Sequence, residues 1–266
     1  MENTNWLKQT PDKPLYPDLL WSRPENKRQA GKLLIVGGNS FGFAAPAAAF
    51  NAAVRAGVGT ARVVLPDSLR KTMGTSFAEA EFAPNTPSGG LAKRALDTLM
   101  DGAGWADAVL LAGDFGRNSE TAVLLASFLD KYSGQVAAAQ DGLDYFLAAN
   151  SSLIDRPGTS TVINMGKLQK LAKNNRPGTP ILHSMNLHEL VTVLNDWTSG
   201  TSAVFITKQS GSLIVSAGGK SSTTPEAKES NWQTELAAYA AVWHLQNPDK
   251  VFEALTSAAF EYSKAN

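Results

Sequence analysis

Three glycine-bearing segments have residue types and spacing that suit chemistry. In the first, Leu33-Leu34-Ile35-Val36 runs into Gly37-Gly38 and then Asn39-Ser40-Phe41-Gly42. Glycines after a buried strand let backbone approach a ligand closely, and the start of the next helix favours anions. Asn39 stands where a dinucleotide fingerprint needs glycine. Phe43-Ala44 stand where a phosphate-binding Walker loop needs lysine and a hydroxyl residue. A tight turn between packed elements accounts for the same residues. The second segment is Leu111-Ala112-Gly113-Asp114-Phe115-Gly116-Arg117, another strand end with glycines. Ligands of open α/β sheets sit beyond the carboxyl ends of strands, so two such loops flank one crevice. Asp114 reads equally as a helix or turn cap. The third is Lys208-Gln209-Ser210-Gly211-Ser212, in which an ammonium group and a small-residue turn suit a phosphate, or form a solvated hairpin.

Other chemistries find little support. His183 and His188 do not share a helical face, His244 lies in a C-terminal helix, and no His/Asp/Glu cluster has metal-ligand spacing, so no metal site is expected. No G-x-S-x-G motif is present. Cys is 0, which removes disulfides, thiolate ligands and Cys nucleophiles.

The elements that must position these loops alternate along the chain. Strand patterns cover 33–36, 60–65, 108–112, 135–139 and 161–164. Helical patterns cover 45–56, 91–100, 120–131, 144–149, 166–173 and 187–197. Residues 180–183 suit a further strand. Residues 203–208 and 213–216 read as a hairpin, 218–230 as a loop over a site, and 235–245 and 250–262 as helices. Apolar, non-alternating strands interleaved with helices imply a mostly parallel sheet covered on both faces. No linker divides the 266 residues, so a single domain spanning 1–266 is expected, with 1–30 as an N-terminal arm.

Composition agrees. Apolar residues make up 43% and charged residues 18%, and 24 basic against 24 acidic side chains give zero net charge, so no pull toward nucleic acid is built in. Residues 1–21 are polar and broken by three prolines, without the apolar centre of a signal peptide. The longest apolar stretch, 44–54, is short of the ~20 residues that span a bilayer. A cytoplasmic protein with no membrane or nucleic-acid partner is expected.

Together these segments resemble the ADP/ATP-dependent NAD(P)H-hydrate dehydratases, a branch of the ribokinase-like fold. The strongest likeness runs from Gly31 to Pro66, GKLLIVGGNSFGFAAPAAAFNAAVRAGVGTARVVLP. That family carries a strand, GGS, YAGAP and an Ala-rich helix ending RAGAG. This chain keeps Gly37-Gly38, Ala45-Pro46 and Arg55-Ala56-Gly57-Val58-Gly59 in register. Asn26-Lys27 and Gly31 are similar to the family's HKGxxG. Gly113 to Arg117 matches its PGLGR, and Lys208 to Ser212 its KGAGT. The resemblance implies a ribokinase-like three-layer α/β sandwich, binding of ATP or ADP with Mg²⁺ through Lys208, Gln209, Ser210, Gly211, Ser212 and Gln233, and substrate contacts at Gly37, Gly38, Ala45, Gly116 and Asn164.

The chain departs from the family where the chemistry sits. The DADAL strand end corresponds to Ala139-Gln140-Asp141-Gly142-Leu143, which keeps one Asp. The PHPGE segment, whose histidine contacts the hydrated nicotinamide, falls on Ile163 to Lys167 or, in an alternative register, on Met185 to Glu189; asparagine, Asn164 or Asn186, then replaces histidine. The last motif, GTGD, gives an anion hole of backbone amides and a catalytic Asp. It falls on Asn231-Trp232-Gln233-Thr234. Thr234 cannot serve as a base near neutral pH, and it suits the N-cap of the next helix. The implied reading is a diverged, pseudoenzyme-like protein that binds a nucleotide or NAD(P)-related ligand and forms a homo-oligomer. Retained dehydratase or kinase activity would use Asp114, Asp141 or Glu235. A structural oligomer subunit is the third reading.

Overall fold

Leu33 to Val36 and Val109 to Ala112 lack any polar position, and such runs are stable only as strands covered on both faces. A computed structural model describes residues 5–73, 77–148, 156–175, 178–226 and 231–265. In chain order the elements are β1 (Trp6–Lys8), α1 (Pro17–Trp21), β2 (Lys32–Gly37), α2 (Ala44–Arg55), β3 (Thr60–Pro66), α3 (Arg70–Met73), β4 (Ala80–Ala83), α4 (Leu96–Trp105), β5 (Ala108–Gly113) and α5 (Ser119–Lys131). There follow β6 (Gln135–Ala139), α6 (Gly142–Ala148), β7 (Thr159–Val162), α7 (Met165–Asn175), α8 (Leu187–Ser199), β8 (Val204–Gln209), β9 (Ser212–Ala217), β10 (Lys220–Pro225), α9 (Trp232–Gln246) and α10 (Val251–Lys264).

The strands form one ten-stranded sheet in the order β1-β10-β9-β8-β7-β6-β5-β2-β3-β4. The pairs from β8 through β4 are parallel, β9 is antiparallel to both its neighbours, and β1 lies parallel to β10. One face carries a core of α2, α9 and α10 residues, among them Ala49, Ala240 and Tyr262. The other is covered by α4, α5, α7 and α8 through residues such as Leu99, Phe128, Leu168 and Leu194. α9 is buried on all sides from Leu236 to His244, because it lies against the sheet between α2 and α10. Small residues at Ala237, Ala238, Ala240 and Ala241 permit that close approach.

Three expectations are corrected. Residues 180–183 are not a strand. The segment 218–230 holds β10, and its last four residues lie outside the described ones. Hydropathy misses β10 because Ser221, Ser222, Thr223 and Thr224 are buried yet bonded: Ser221 to Ser216 and Asn195, Ser222 to Thr256, and Thr224 to Gln9. The helix expected over 91–100 starts later. Residues 91–92 are extended, and a 3-10 turn at Lys93–Ala95 leads into α4. Ala149, at the end of the expected sixth helical pattern, lies outside the described residues.

Candidate functional site

From β2 the chain crosses through α2 to β3; from β5 it crosses through α5 to β6 on the other side. The direction of winding therefore switches between β2 and β5, the place at which open α/β sheets leave a crevice beyond the carboxyl ends of their strands. Gly37 pairs with Gly113 there, across a register shift. A Cβ on Gly37 would overlap the Gly113 carbonyl and stand 2.8 Å from Pro46 Cγ, and Gly38 N donates to the same carbonyl at 3.0 Å. Gly113 itself has φ 123°, a conformation that excludes ordinary L side chains.

Asp114 adopts a left-handed conformation, φ 60°, which aims its carboxylate at α2: Oδ2 accepts from Ala45 N at 2.7 Å. It caps the helix from a neighbouring loop, as one of the two readings of this residue holds. Asn39 Nδ2 donates to Asp114 O at 2.6 Å and joins the two loops. Gly116 N donates to Asp141 Oδ2 at 3.0 Å, and its carbonyl accepts from Tyr145 Oη. The loops thus hold one another through the backbone groups of Ala45 and Gly116.

The second corner lies at the start of α9. Asn231 has φ 54° and makes no side-chain cap, and the helix begins at Trp232. Thr234 is therefore in the first turn and is not the N-cap expected from its type. It is 2% exposed, and its Oγ1 accepts from Gln140 Nε2 at 3.0 Å. Gln140 follows β6 with φ 52°, and Lys167 Nζ donates to its carbonyl at 2.5 Å. Gln140 thereby links the two corners, a role its place in the DADAL-like segment does not announce. Gln233 Nε2 reaches Val162 O at 3.4 Å, and the half-buried Trp232 indole packs on the core beside α2, α9 and α10. Glu235 faces Arg55 of α2 at 3.8 Å.

Both asparagines offered by the two registers are helix caps. Asn164 Oδ1 accepts from Lys167 N at 2.9 Å before α7, and Asn186 forms a capping box with Glu189 before α8. The Lys208 segment is the hairpin the sequence predicts. Ser210 and Gly211, φ 49° and 70°, close β8 onto β9, and Gln209 Nε2 donates to Met185 O at 3.0 Å.

Burial raises the Asp141 carboxyl above the usual carboxylate range, and the nearby Asp114 charge pushes the same way. The Gly116 amide and Lys167 oppose both. Asp141 lines an open cleft of about 940 Å³ running from Gly116 between α5, α6 and α7. No three His, Cys, Asp or Glu side chains among the described residues stand together as metal ligands. Among the described residues a Mg²⁺ ion finds no cage of carboxylates, and one bound with a nucleotide would rely on its phosphates. No helix among the described residues is long and apolar enough to cross a membrane.

No protein-family model matches the chain, and no curated protein does. Solved structures do. A ribokinase-like superfamily protein from Enterococcus faecalis superposes with a TM-score of 0.76 at 15% identity, over 99% of this chain and 88% of that one. An ADP/ATP-dependent NAD(P)H-hydrate dehydratase from Bacillus subtilis, co-crystallized with ATP/Mg²⁺, gives 0.66 at 13% identity, over 94% and 87%. A phosphomethylpyrimidine kinase from Clostridium difficile gives 0.53 at 11%, over 86% and 96%. The fold is the ribokinase-like α/β sandwich; at these identities the likeness is one of fold.

Proposed function

We propose that this protein is a ligand-binding relative of the NAD(P)H-hydrate dehydratases, holding a nucleotide or NAD(P)-related ligand in the crevice without phosphoryl transfer. One observation carries the reading. At the position the resemblance gives to the catalytic base stands Thr234, whose hydroxyl is buried and already accepts a hydrogen bond from Gln140. A hydroxyl so held neither ionises near neutral pH nor removes a proton. Loss of a general base costs ~10²–10⁴-fold, and loss of oxyanion donors costs a comparable factor. The three carboxylates best placed to substitute have structural duties: Asp114 caps α2, Asp141 holds the Gly116 amide and Glu235 faces Arg55. ATP or ADP would lie along the Lys208–Ser212 hairpin and Gln233. The substrate-side ligand would lie against Gly37, Gly38, Ala45, Gly116 and Asn164.

Melting curves with ATP, ADP, AMP, NAD and NADP test the binding, since a ligand of the native state alone raises the midpoint. A shift that is reduced in Lys208→Ala is expected; flat curves with all five reject the reading. Incubation of hydrated NADH with ATP or ADP should give no recovery of reduced-cofactor absorbance above the blank.

A second reading, retained catalysis, is favoured by Asp141, whose raised pKa and place in the cleft suit a proton-handling group. It requires turnover in that assay and its loss in Asp141→Asn. Self-association is part of the proposal: Trp21 and Phe41 are 88% and 94% exposed, and mass should rise with concentration in light scattering.

A further inference from the structure

The cleft between the start of α5, α6 and α7 has a charge balance unlike that of the whole chain. Arg117 enters it from one wall, and Lys170 and Lys173 enter from α7 on the other. The two lysines are three residues apart and so share one helical face, while Leu168, Leu171 and Ala172 turn into the core. All three cations are exposed, and none forms an ion pair with a described residue. Two carboxylates, Asp141 and Asp144, line the same cleft, and each already has another partner. Asp144 pairs with Lys167 at 2.9 Å, and Asp141 accepts from Gly116 N. A chain with zero net charge therefore sets three cations against two carboxylates, one of them already paired with Lys167, around one concavity of about 940 Å³, at the upper end of ligand-pocket sizes.

We infer that this cleft is a second binding site, distinct from the Lys208 hairpin, and that it takes a diphosphate group. A diphosphate carries about three negative charges at neutral pH, and its two phosphoryl groups can be met from opposite walls. The Arg117 guanidinium suits bidentate contact with one, and the two ammonium groups act as point charges on the other. An anion seated there offsets the three cations, none of which is ion-paired with a described carboxylate. Free pyrophosphate and the diphosphate of a nucleotide share this chemistry.

Calorimetric titration of the full chain with inorganic pyrophosphate at low ionic strength tests the site. Binding is expected, weakening as salt is raised. Lys170→Gln combined with Lys173→Gln should weaken it about tenfold or more, the scale of a lost phosphate ion pair. Lys173→Glu should do the same, and Arg117→Gln should add to the loss, all with unchanged melting temperature because the side chains are exposed. Lys208→Ala should leave pyrophosphate binding intact. In that Lys208→Ala background, ADP bound more tightly than pyrophosphate identifies a nucleoside diphosphate as the occupant, equal or weaker binding identifies free pyrophosphate, and adenosine should not bind. No pyrophosphate binding, binding unmoved by the charge-removing variants, or binding abolished by Lys208→Ala overturns the inference. ADP binding that depends on Lys208 would then leave the crevice reading standing. Pyrophosphate binding without any nucleotide response would do the reverse.

Discussion

The two corners of the crevice are built on opposite principles. At β2 and β5, backbone lies on backbone. Gly37 packs against Gly113, Gly38 donates to it, and a Cβ on Gly113 would stand 2.6 Å from Gln140 Cβ. At the start of α9 the space is filled by side chains, the Trp232 indole, the Gln140 amide and the Thr234 hydroxyl. The first corner has the glycines of the dehydratase-like pattern, and the second, where the resemblance sets GTGD, has Asn231 and Gln233 at the glycine positions. The difference separates two reasons for a glycine. Where packing of the chain on itself forbids a side chain, glycine is required whatever the ligand. Where glycine serves only to admit a ligand to bare amides, nothing in the fold demands it once that ligand is gone.

The contrast is tested most severely at Gly113. Gly113→Ala combines a clash with a forbidden φ of 123° and should cost at least ~3 kcal/mol in urea unfolding. A loss below ~1 kcal/mol would show that the first corner yields and the distinction fails.

A comparable effect is expected at the far end of α9, where burial lowers the His244 pKa to about 4. The folded state holds this ring neutral, while the unfolded chain takes up a proton below pH 6.5. Stability should therefore fall as pH drops from 6.5 toward 4, by roughly 3 kcal/mol from this group, and level off below. His244→Phe should flatten that decline when urea midpoints at pH 7 and pH 4.5 are compared. An unchanged slope would mean that the ring is not held neutral.

The smallest effect belongs to the second corner. Asn231 has φ 54° and no side-chain cap, so Asn231→Gly removes strain and loses no bond. Stability should rise by a few tenths of a kcal/mol in the same measurement. A loss exceeding 1 kcal/mol would show that this corner, too, depends on its residue.

Much of the scaffold was legible because its signals are local. The Leu33–Val36 run, the Ala-rich stretch ending at Arg55-Ala56-Gly57 and the Ser210-Gly211 turn each name their own structure, and β2, α2 and the β8–β9 hairpin stand within a residue or two of the expected spans. β10 was not legible, because its hydroxyls are satisfied by partners as distant in sequence as Gln9 and Thr256. The glycine loops of the candidate site could be read as loops. Their mutual bracing through Asp114, Asn39 and Asp141 could not, nor could the meeting of Gln140 with Thr234, since each joins segments far apart in the chain. The cationic face of α7 was hidden for another reason: Lys170 and Lys173 look like any solvated helix surface until Arg117 is seen across from them.

A helix enclosed on every side, as α9 is, behaves as a fixed post. Its body cannot tilt or slide without disturbing both neighbours and the sheet, so the position of its tip is set by the buried residues of its body. The tip can then vary in its side chains, here indole, amide and hydroxyl, while the frame stays put. Architectures of this kind can shed or acquire a reaction through a handful of codons.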